Sequence, residues 1–193
     1  CIAMKRLYVH DSIYDEVVNE LAAIANDTVI GNGLEQGTKL GPLQNKMQYE
    51  KVKALIESAR QDGNIVAGGE VPDQSGYFIR PTIVRDVTEG TRIVDEEQFG
   101  PVLPVIRFSD ESDAIARANN SNYGLGGSVW SSDLDRAYDV ANQMNTGTVW
   151  INKHAELDPG IPFGGSKQSG LGNELGMEGL KEFTQLKMIN MAR

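Results

Sequence analysis

Gly127-Ser128-Val129-Trp130, then Asp133-Leu134-Asp135-Arg136-Ala137-Tyr138-Asp139-Val140-Ala141-Asn142-Gln143-Met144, then Gly147-Thr148-Val149-Trp150-Ile151 follow one another in the second half of the chain. The outer pieces read as strands and the middle one as a helix. Just upstream, Val102–Phe108 reads as a strand apart from Pro104, and Ser109 or Asp110 caps a helix that runs through Ala118. This β-α-β-α-β alternation predicts an α/β fold with a mostly parallel sheet covered by helices. A parallel strand covered on both faces needs apolar residues on both, and Val149-Trp150-Ile151 supplies them.

Working toward the N-terminus, Tyr77–Val84 contains Pro81, which makes it an edge or broken strand, and Ile65–Ala67 is a short strand ending in Gly68-Gly69. Asn45–Asp62 is a helix with Val52, Leu55, Ile56 and Ala59 on one face and Gly63 as its stop. Asp27–Pro42 is a Gly-rich loop. Ser12–Asn26 is an amphipathic helix, with Ile13, Val17, Leu21 and Ile24 recurring every three or four residues. Lys5–His10 alternates as a strand does. Toward the C-terminus, Pro162–Gly176 is a second Gly-rich loop. Its length and its aromatic residue, Phe163, give it the profile of a binding loop. Thr184–Met191 is a final strand-like segment, suited to pairing with another sheet edge.

Composition narrows the function. The 193 residues are enough for one domain, or one with a small appendage. With 18 Lys and Arg against 27 Asp and Glu, the net charge of −9 argues against a general nucleic-acid binder and against a basic membrane-surface protein. The longest apolar runs, such as Leu21–Ala25, fall far short of the roughly 20 residues a membrane helix needs. A single cysteine makes no internal disulfide, which fits a reducing compartment and a cytoplasmic location. Residue 1 is Cys, and a strand-like segment follows it at once, without a signal peptide's pattern or a flexible tether. The chain is therefore expected to be a piece of a longer protein rather than an N-terminal-cysteine enzyme or a lipoprotein.

Generic motifs do not identify an activity. Gly170-x-Gly172 is followed by Gly176, one residue late for a dinucleotide fingerprint, and no strand precedes it. There is no phosphate-binding P-loop and no Gly-x-Ser-x-Gly elbow. Two histidines, His10 and His154, and one cysteine cannot assemble a zinc cluster at the usual spacing, so no metal is expected. Glu96-Glu97-Gln98-Phe99-Gly100-Pro101 is an acidic turn ahead of a strand. It reads either as a solvated loop closed by Gly-Pro or, since a large ring between a carboxylate and a glycine turn is often placed for contact, as a contact site for Phe99.

Taken together, five segments resemble the catalytic half of the aldehyde dehydrogenase superfamily. They are Cys1-Ile2-Ala3-Met4-Lys5-Arg6-Leu7-Tyr8-Val9, Glu96 to Val102, Asn119-Asn120-Ser121-Asn122-Tyr123-Gly124-Leu125, Gly147 to Asn152, and Pro162-Phe163-Gly164-Gly165 with Lys167, Ser169-Gly170 and Glu174-Leu175-Gly176. The match covers essentially the whole chain in order. It implies a catalytic α/β domain over residues 1–176, incomplete at its N-terminus, and a C-terminal oligomerisation segment over 177–193. Cys1 would be the nucleophile. Glu97 would bind a ribose of NAD or NADP, and Phe99 would pack at the nicotinamide end. Phe163, His154 and Leu157 would border the aldehyde pocket. Thr184, Leu186, Met188 and Ile189 would lie on a strand joining a partner's sheet in a homo-oligomer, a dimer or tetramer. The polar stretch Lys153–Asp158 at that rim fits a small or polar aldehyde as well as it fits a solvated loop.

These residue types suit the implied chemistry. An aldehyde has no leaving group other than hydride, so a thiolate must first add to the carbonyl, giving a tetrahedral adduct that can expel hydride to an oxidised nicotinamide. The thioester that remains is hydrolysed. A carboxylate at Glu97 can accept from two vicinal ribose hydroxyls. The resemblance also implies that the cofactor-binding domain, the water-activating glutamate and the oxyanion-binding asparagine lie upstream of Cys1. The 193 residues alone are therefore expected to be inactive toward aldehydes and to self-associate. Transfer of the acyl group to a thiol such as coenzyme A, and a non-catalytic oligomerising remnant, are the alternatives.

Overall fold

A computed structural model gives the fold, and it describes residues 1–192. In chain order the elements are β1 (Leu7–His10), a 3-10 turn (Asp11–Ile13), α1 (Tyr14–Asp27), α2 (Lys46–Asp62), β2 (Asn64–Ala67), β3 (Thr82–Arg85), α3 (Arg92–Asp95) and β4 (Val102–Phe108). There follow α4 (Glu111–Asn119), β5 (Tyr123–Gly124), β6 (Gly126–Val129), α5 (Leu134–Gln143), β7 (Thr148–Ile151), β8 (Ser166–Lys167) and α6 (Gly176–Lys181). The chain divides into two compact units, residues 3–114 and residues 1–2 with 115–193. Among the described residues no helix is long and apolar enough to cross a membrane.

The first unit is a four-stranded sheet in the order β1-β4-β3-β2, parallel except for the β2–β3 pair. Alternate residues of β3 and β4 face opposite sides. Val84 and Ile106 join Val52, Leu55, Ile56 and Ala59 of α2, while Ile83 and Val105 join Tyr14 and Val18 of α1. Each sheet face therefore has its own helix, as the sequence leads one to expect. The apolar stripe on α2 is the one its periodicity predicts, and all four of its residues are buried. Asn45 begins that helix by accepting a hydrogen bond from the Gln48 amide at 2.9 Å. Burial of each large apolar side chain here contributes about 1.5–3 kcal/mol.

Two strand expectations change. β4 runs through Pro104, which pairs with Val84 in the middle of the strand. Proline removes one ladder donor, and the remaining residues keep β4 paired with both β1 and β3. The Tyr77–Val84 strand is confined to β3, because Pro81 cannot donate; upstream of it, the Tyr77 carbonyl accepts instead from the Leu43 amide at 2.8 Å.

The second unit contains β6 and β7, a parallel pair joined through α5, and a short antiparallel pair, β5 with β8. Asp133 caps α5 by accepting from the Arg136 amide at 3.0 Å. The predicted alternation is present in order, yet its strands do not form one sheet: β4 belongs to the four-stranded sheet, and β6 and β7 pair with each other. Hence only Trp150 of β7 is buried, with Val149 and Ile151 half-buried. Part of the second Gly-rich stretch ends in a helix, α6, entered through Leu175 at φ +63°. Residues 184–192 form no strand within the chain. A strand exists only when paired, and among the described residues these pair with none.

Candidate active site

Cys1 carries an exposed thiol. The next residue is tied down: the His154 Nε2 lies 2.7 Å from the Ile2 carbonyl oxygen. A carbonyl can only accept, so Nε2 carries the hydrogen. Two turns of irregular chain put His154 there. Asn152 and Ala155 both hold left-handed backbone, at φ +53° and +60°. Asn152 anchors the first through its side chain, accepting from the Ser131 amide and donating to the Ser131 carbonyl at 2.9 and 2.8 Å. The imidazole stands edge-on to Trp150, with centroids 5.3 Å apart, and the indole N–H donates to the Glu156 carbonyl at 2.8 Å. Phe163 packs on the same indole at 6.5 Å. Its backbone is clamped to Glu174 by two reciprocal hydrogen bonds of 2.7 Å. Of the predicted pocket residues, the structure gathers His154 and Phe163 around Trp150, while Leu157 is 45% exposed. The sequence puts Trp150 among the apolar residues of a strand and in the Gly147 to Asn152 segment of the resemblance. Nothing in the sequence marked it as the common platform.

In the other unit, the turn after α3 presents Glu97 and Phe99 to solvent, with Phe99 58% exposed at φ +46°. A bulky residue in that region is strained by about 1–3 kcal/mol and persists only where its surroundings impose it. Glu96 does not share its neighbour's freedom. Arg92 grips it with two bonds of 2.6 and 3.1 Å, and this guanidinium holds the Glu96 carboxyl below its ordinary range.

Lys5 lies beside this turn and donates from Nζ to the Val94 carbonyl. Burial, aided by Arg6, lowers its pKa to about 8, against the opposing pull of Asp95, Glu97 and Glu96. The unfolded chain releases that proton near 10.5. Between the two values the unfolded state holds more protons, so stability should rise with pH from about 8 toward 10.5. Lys5→Met should remove this increment. The comparison is urea unfolding at about pH 7.5 and 9.5, below the range where the raised phenol of Tyr14 would act in the opposite sense. Equal pH slopes for wild type and variant would refute it.

The C-terminal residues named from the sequence divide. Thr184 closes the turn after α6, its hydroxyl and amide both donating to the Lys181 carbonyl at 2.9 Å. Leu186, Met188 and Ile189 are 94%, 89% and 83% exposed. Among the described residues no three His, Cys, Asp or Glu side chains are grouped so as to hold a metal ion.

One unit is a mostly parallel sheet covered by helices, whose strained turn displays a carboxylate and a ring; the other holds an exposed cysteine whose neighbour's carbonyl is pinned. The chain belongs to the aldehyde dehydrogenase family, whose model matches residues 1–189. It is 46% identical over 190 residues to a succinate-semialdehyde dehydrogenase [NADP(+)] of Deinococcus radiodurans, covering 98% of this chain and 40% of that protein. It is 41% identical to a phenylacetaldehyde dehydrogenase of Pseudomonas fluorescens, over 100% of this chain and 39% of the other. An NAD+ complex of an aldehyde dehydrogenase from Bacillus cereus superposes with a TM-score of 0.91 at 43% identity, over 95% of this chain and 38% of that one. The chain thus spans about 40% of the length of such relatives.

Proposed function

We propose that the chain is the catalytic portion of an NAD- or NADP-dependent aldehyde dehydrogenase, with Cys1 as nucleophile and an aldehyde as substrate. The observation that carries this reading is the exposed thiol of Cys1 with the following carbonyl held by His154. A thiol is a soft nucleophile, and the tied carbonyl of the next residue supports that role for Cys1.

The residues of the turn fit a nicotinamide cofactor. An exposed ring held at a strained φ offers a flat apolar face, and the exposed Glu97 carboxylate offers acceptors for vicinal hydroxyls. When bound, the oxidised cofactor supplies a hydride acceptor. Cys1 supplies the rest of the covalent chemistry. Its sulfur bonds to the aldehyde carbon and the carbonyl π pair moves to oxygen. That pair re-forms the C=O bond as hydride leaves the carbon, giving a thioester on Cys1. Water then adds to the thioester carbon, the C–S bond breaks with its electron pair returning to sulfur, and a carboxylic acid and the thiolate are released as one proton of the water passes to solvent. His154, Trp150 and Phe163 shape the apolar side of the aldehyde pocket, and Leu157 lies at its rim. Residues 1–176 form the catalytic portion in this reading, and the single cysteine fits a cytoplasmic setting.

The test is absorbance of reduced nicotinamide with a panel of aldehydes and both cofactors, using the product of the complete reading frame that encodes this chain. Aldehyde-dependent reduction supports the reading. Reduction only when coenzyme A is added moves the last step to thiol transfer, and none at all from a folded, cofactor-binding protein overturns it.

Segment 177–193 serves oligomerisation in this reading. Three large apolar side chains stand almost fully exposed on a stretch without a partner edge, and such patches drive association. Leu186→Lys with Met188→Lys should reduce the mass seen by light scattering in that gene product. An unchanged mass would remove the role from this segment.

A further inference from the structure

Gln98 lies between the two residues assigned to the cofactor, yet it is turned inward and only 3% exposed. Its Nε2 donates to the carbonyls of Lys5 and Val102, at 3.0 and 2.6 Å. One partner lies on the segment entering β1, the other at the start of β4. The link is returned, since the Lys5 Nζ donates to the Val94 carbonyl on the near side of the same turn. Two side chains, Gln98 on the Lys5 carbonyl and Lys5 on the Val94 carbonyl, therefore tie the segment entering β1 to the turn across a sequence separation of about 90 residues.

A third tie comes from α2. The Gln48 Nε2 donates to the carbonyls of Gln98 and Phe99, at 2.6 and 3.3 Å. Gln48 is itself fixed in the first turn of its helix by the Asn45 cap. Gly100 lies hard against that helix, where an added Cβ would stand 2.6 Å from a Val52 methyl. The orientation of the Gln98 amide is not free either. Turning it over would set Oε1 against two carbonyl oxygens, and only the NH2 end satisfies them. Oε1 itself has no partner among the described residues. These ties converge on the carbonyls either side of the Phe99 α-carbon and on the residue before it. They are what imposes φ +46° on a phenylalanine.

We propose that Gln98 is the positioning residue of the cofactor turn: clasped with Lys5 and seconded by Gln48, its carboxamide holds Phe99 in the conformation that presents its ring. The proposal rests on the reading of Glu97 and Phe99 as cofactor contacts. It adds a specific consequence, that the segment following the nucleophile and the turn facing the cofactor share one polar lock. Loosening the lock should weaken cofactor engagement while leaving the aldehyde side of the site alone.

Gln98→Met keeps the length and removes the donors. In the complete gene product, the backbone amides of residues 94–102 should exchange with solvent about tenfold faster, with other protected amides unaltered. The KM for the nicotinamide cofactor should rise about tenfold, while the KM for aldehyde stays within about twofold. Gln48→Met loosens the same turn from α2 and should move both readouts in the same direction. It serves where Gln98→Met does not fold. Unchanged exchange over residues 94–102 in folded variants overturns the proposal whatever the turnover. So does a uniform loss, in which both KM values and kcat worsen in step with stability. Accelerated exchange in a protein whose wild type never reduces nicotinamide supports the lock and overturns the cofactor reading it serves.

Discussion

Cys1→Ala should lower aldehyde-dependent nicotinamide reduction by about 10⁴-fold or more, because Cys1 carries the single thiol of this chain and the proposed adduct is a thiohemiacetal. Hydride can leave the substrate carbon only after a nucleophile has made it tetrahedral, so removing the sulfur removes the step rather than slowing it. The thiol is exposed and the chain has no second cysteine to substitute for it. Cofactor affinity should change by no more than about twofold, since the turn bearing Glu97 and Phe99 contains no atom of Cys1. Cys1→Ser is the sharper comparison. It keeps size and polarity but replaces the sulfur with an oxygen that ionises far less readily and leaves an ester far less readily than sulfur leaves a thioester. It should be nearly as inactive as Cys1→Ala. Stopped-flow absorbance of reduced nicotinamide, with wild type in parallel, decides the matter. If Cys1→Ala retains more than about a tenth of the rate, the nucleophile lies elsewhere.

Local features were legible and distant ones were not. The α2 stripe of Val52, Leu55, Ile56 and Ala59, its Asn45 cap and the helix after Asp133 are written within a few residues of themselves, and the structure repeats them. The family motifs were legible because their spacing along the chain is distinctive. What no local pattern contains is the partner of a side chain. The acidic turn gives no role to Gln98, because its acceptor on Lys5 lies 93 positions away. The resemblance puts His154 at the pocket border, but its bond to Ile2, 152 positions away, is in no local pattern. The single sheet inferred from the alternation separated into β4 and the β6–β7 pair for the same reason: strand order records which edges meet, and periodicity records only which faces are apolar. The C-terminal segment shows the converse. Its alternation is strand-like, and among the described residues it pairs with no strand: alternation records which faces are apolar, not which edge is met.

Gly147→Ala should be among the most destabilising single substitutions in the second unit, lowering the unfolding free energy by about 3 kcal/mol or more. The residue precedes β7, and its amide donates to the Gly124 carbonyl at 2.9 Å. A Cβ at this position would overlap the Gly164 carbonyl oxygen and lie 2.6 Å from the Gly164 carbonyl carbon and 3.1 Å from the Gly165 Cα. All three atoms are backbone, so no side chain can rotate aside. The opposing strand of chain is pinned on both flanks, by the Phe163–Glu174 bonds on one side and by the Ser166 hydroxyl donating to the Gly124 carbonyl at 3.1 Å on the other. Relief therefore requires breaking one of these ties and displacing residues 163–165. Phe163 would move with them, away from the Trp150 indole, so the aldehyde side of the site should deteriorate along with stability. Gly33→Ala is the control. Its Cβ would meet nothing within 4 Å, and the change should stay within about 0.5 kcal/mol of wild type. Urea unfolding of both variants tests the contrast. A Gly147→Ala protein within about 1 kcal/mol of wild type would show that residues 163–165 yield freely, and that this close approach of two backbones does not hold the loop of Phe163 in place.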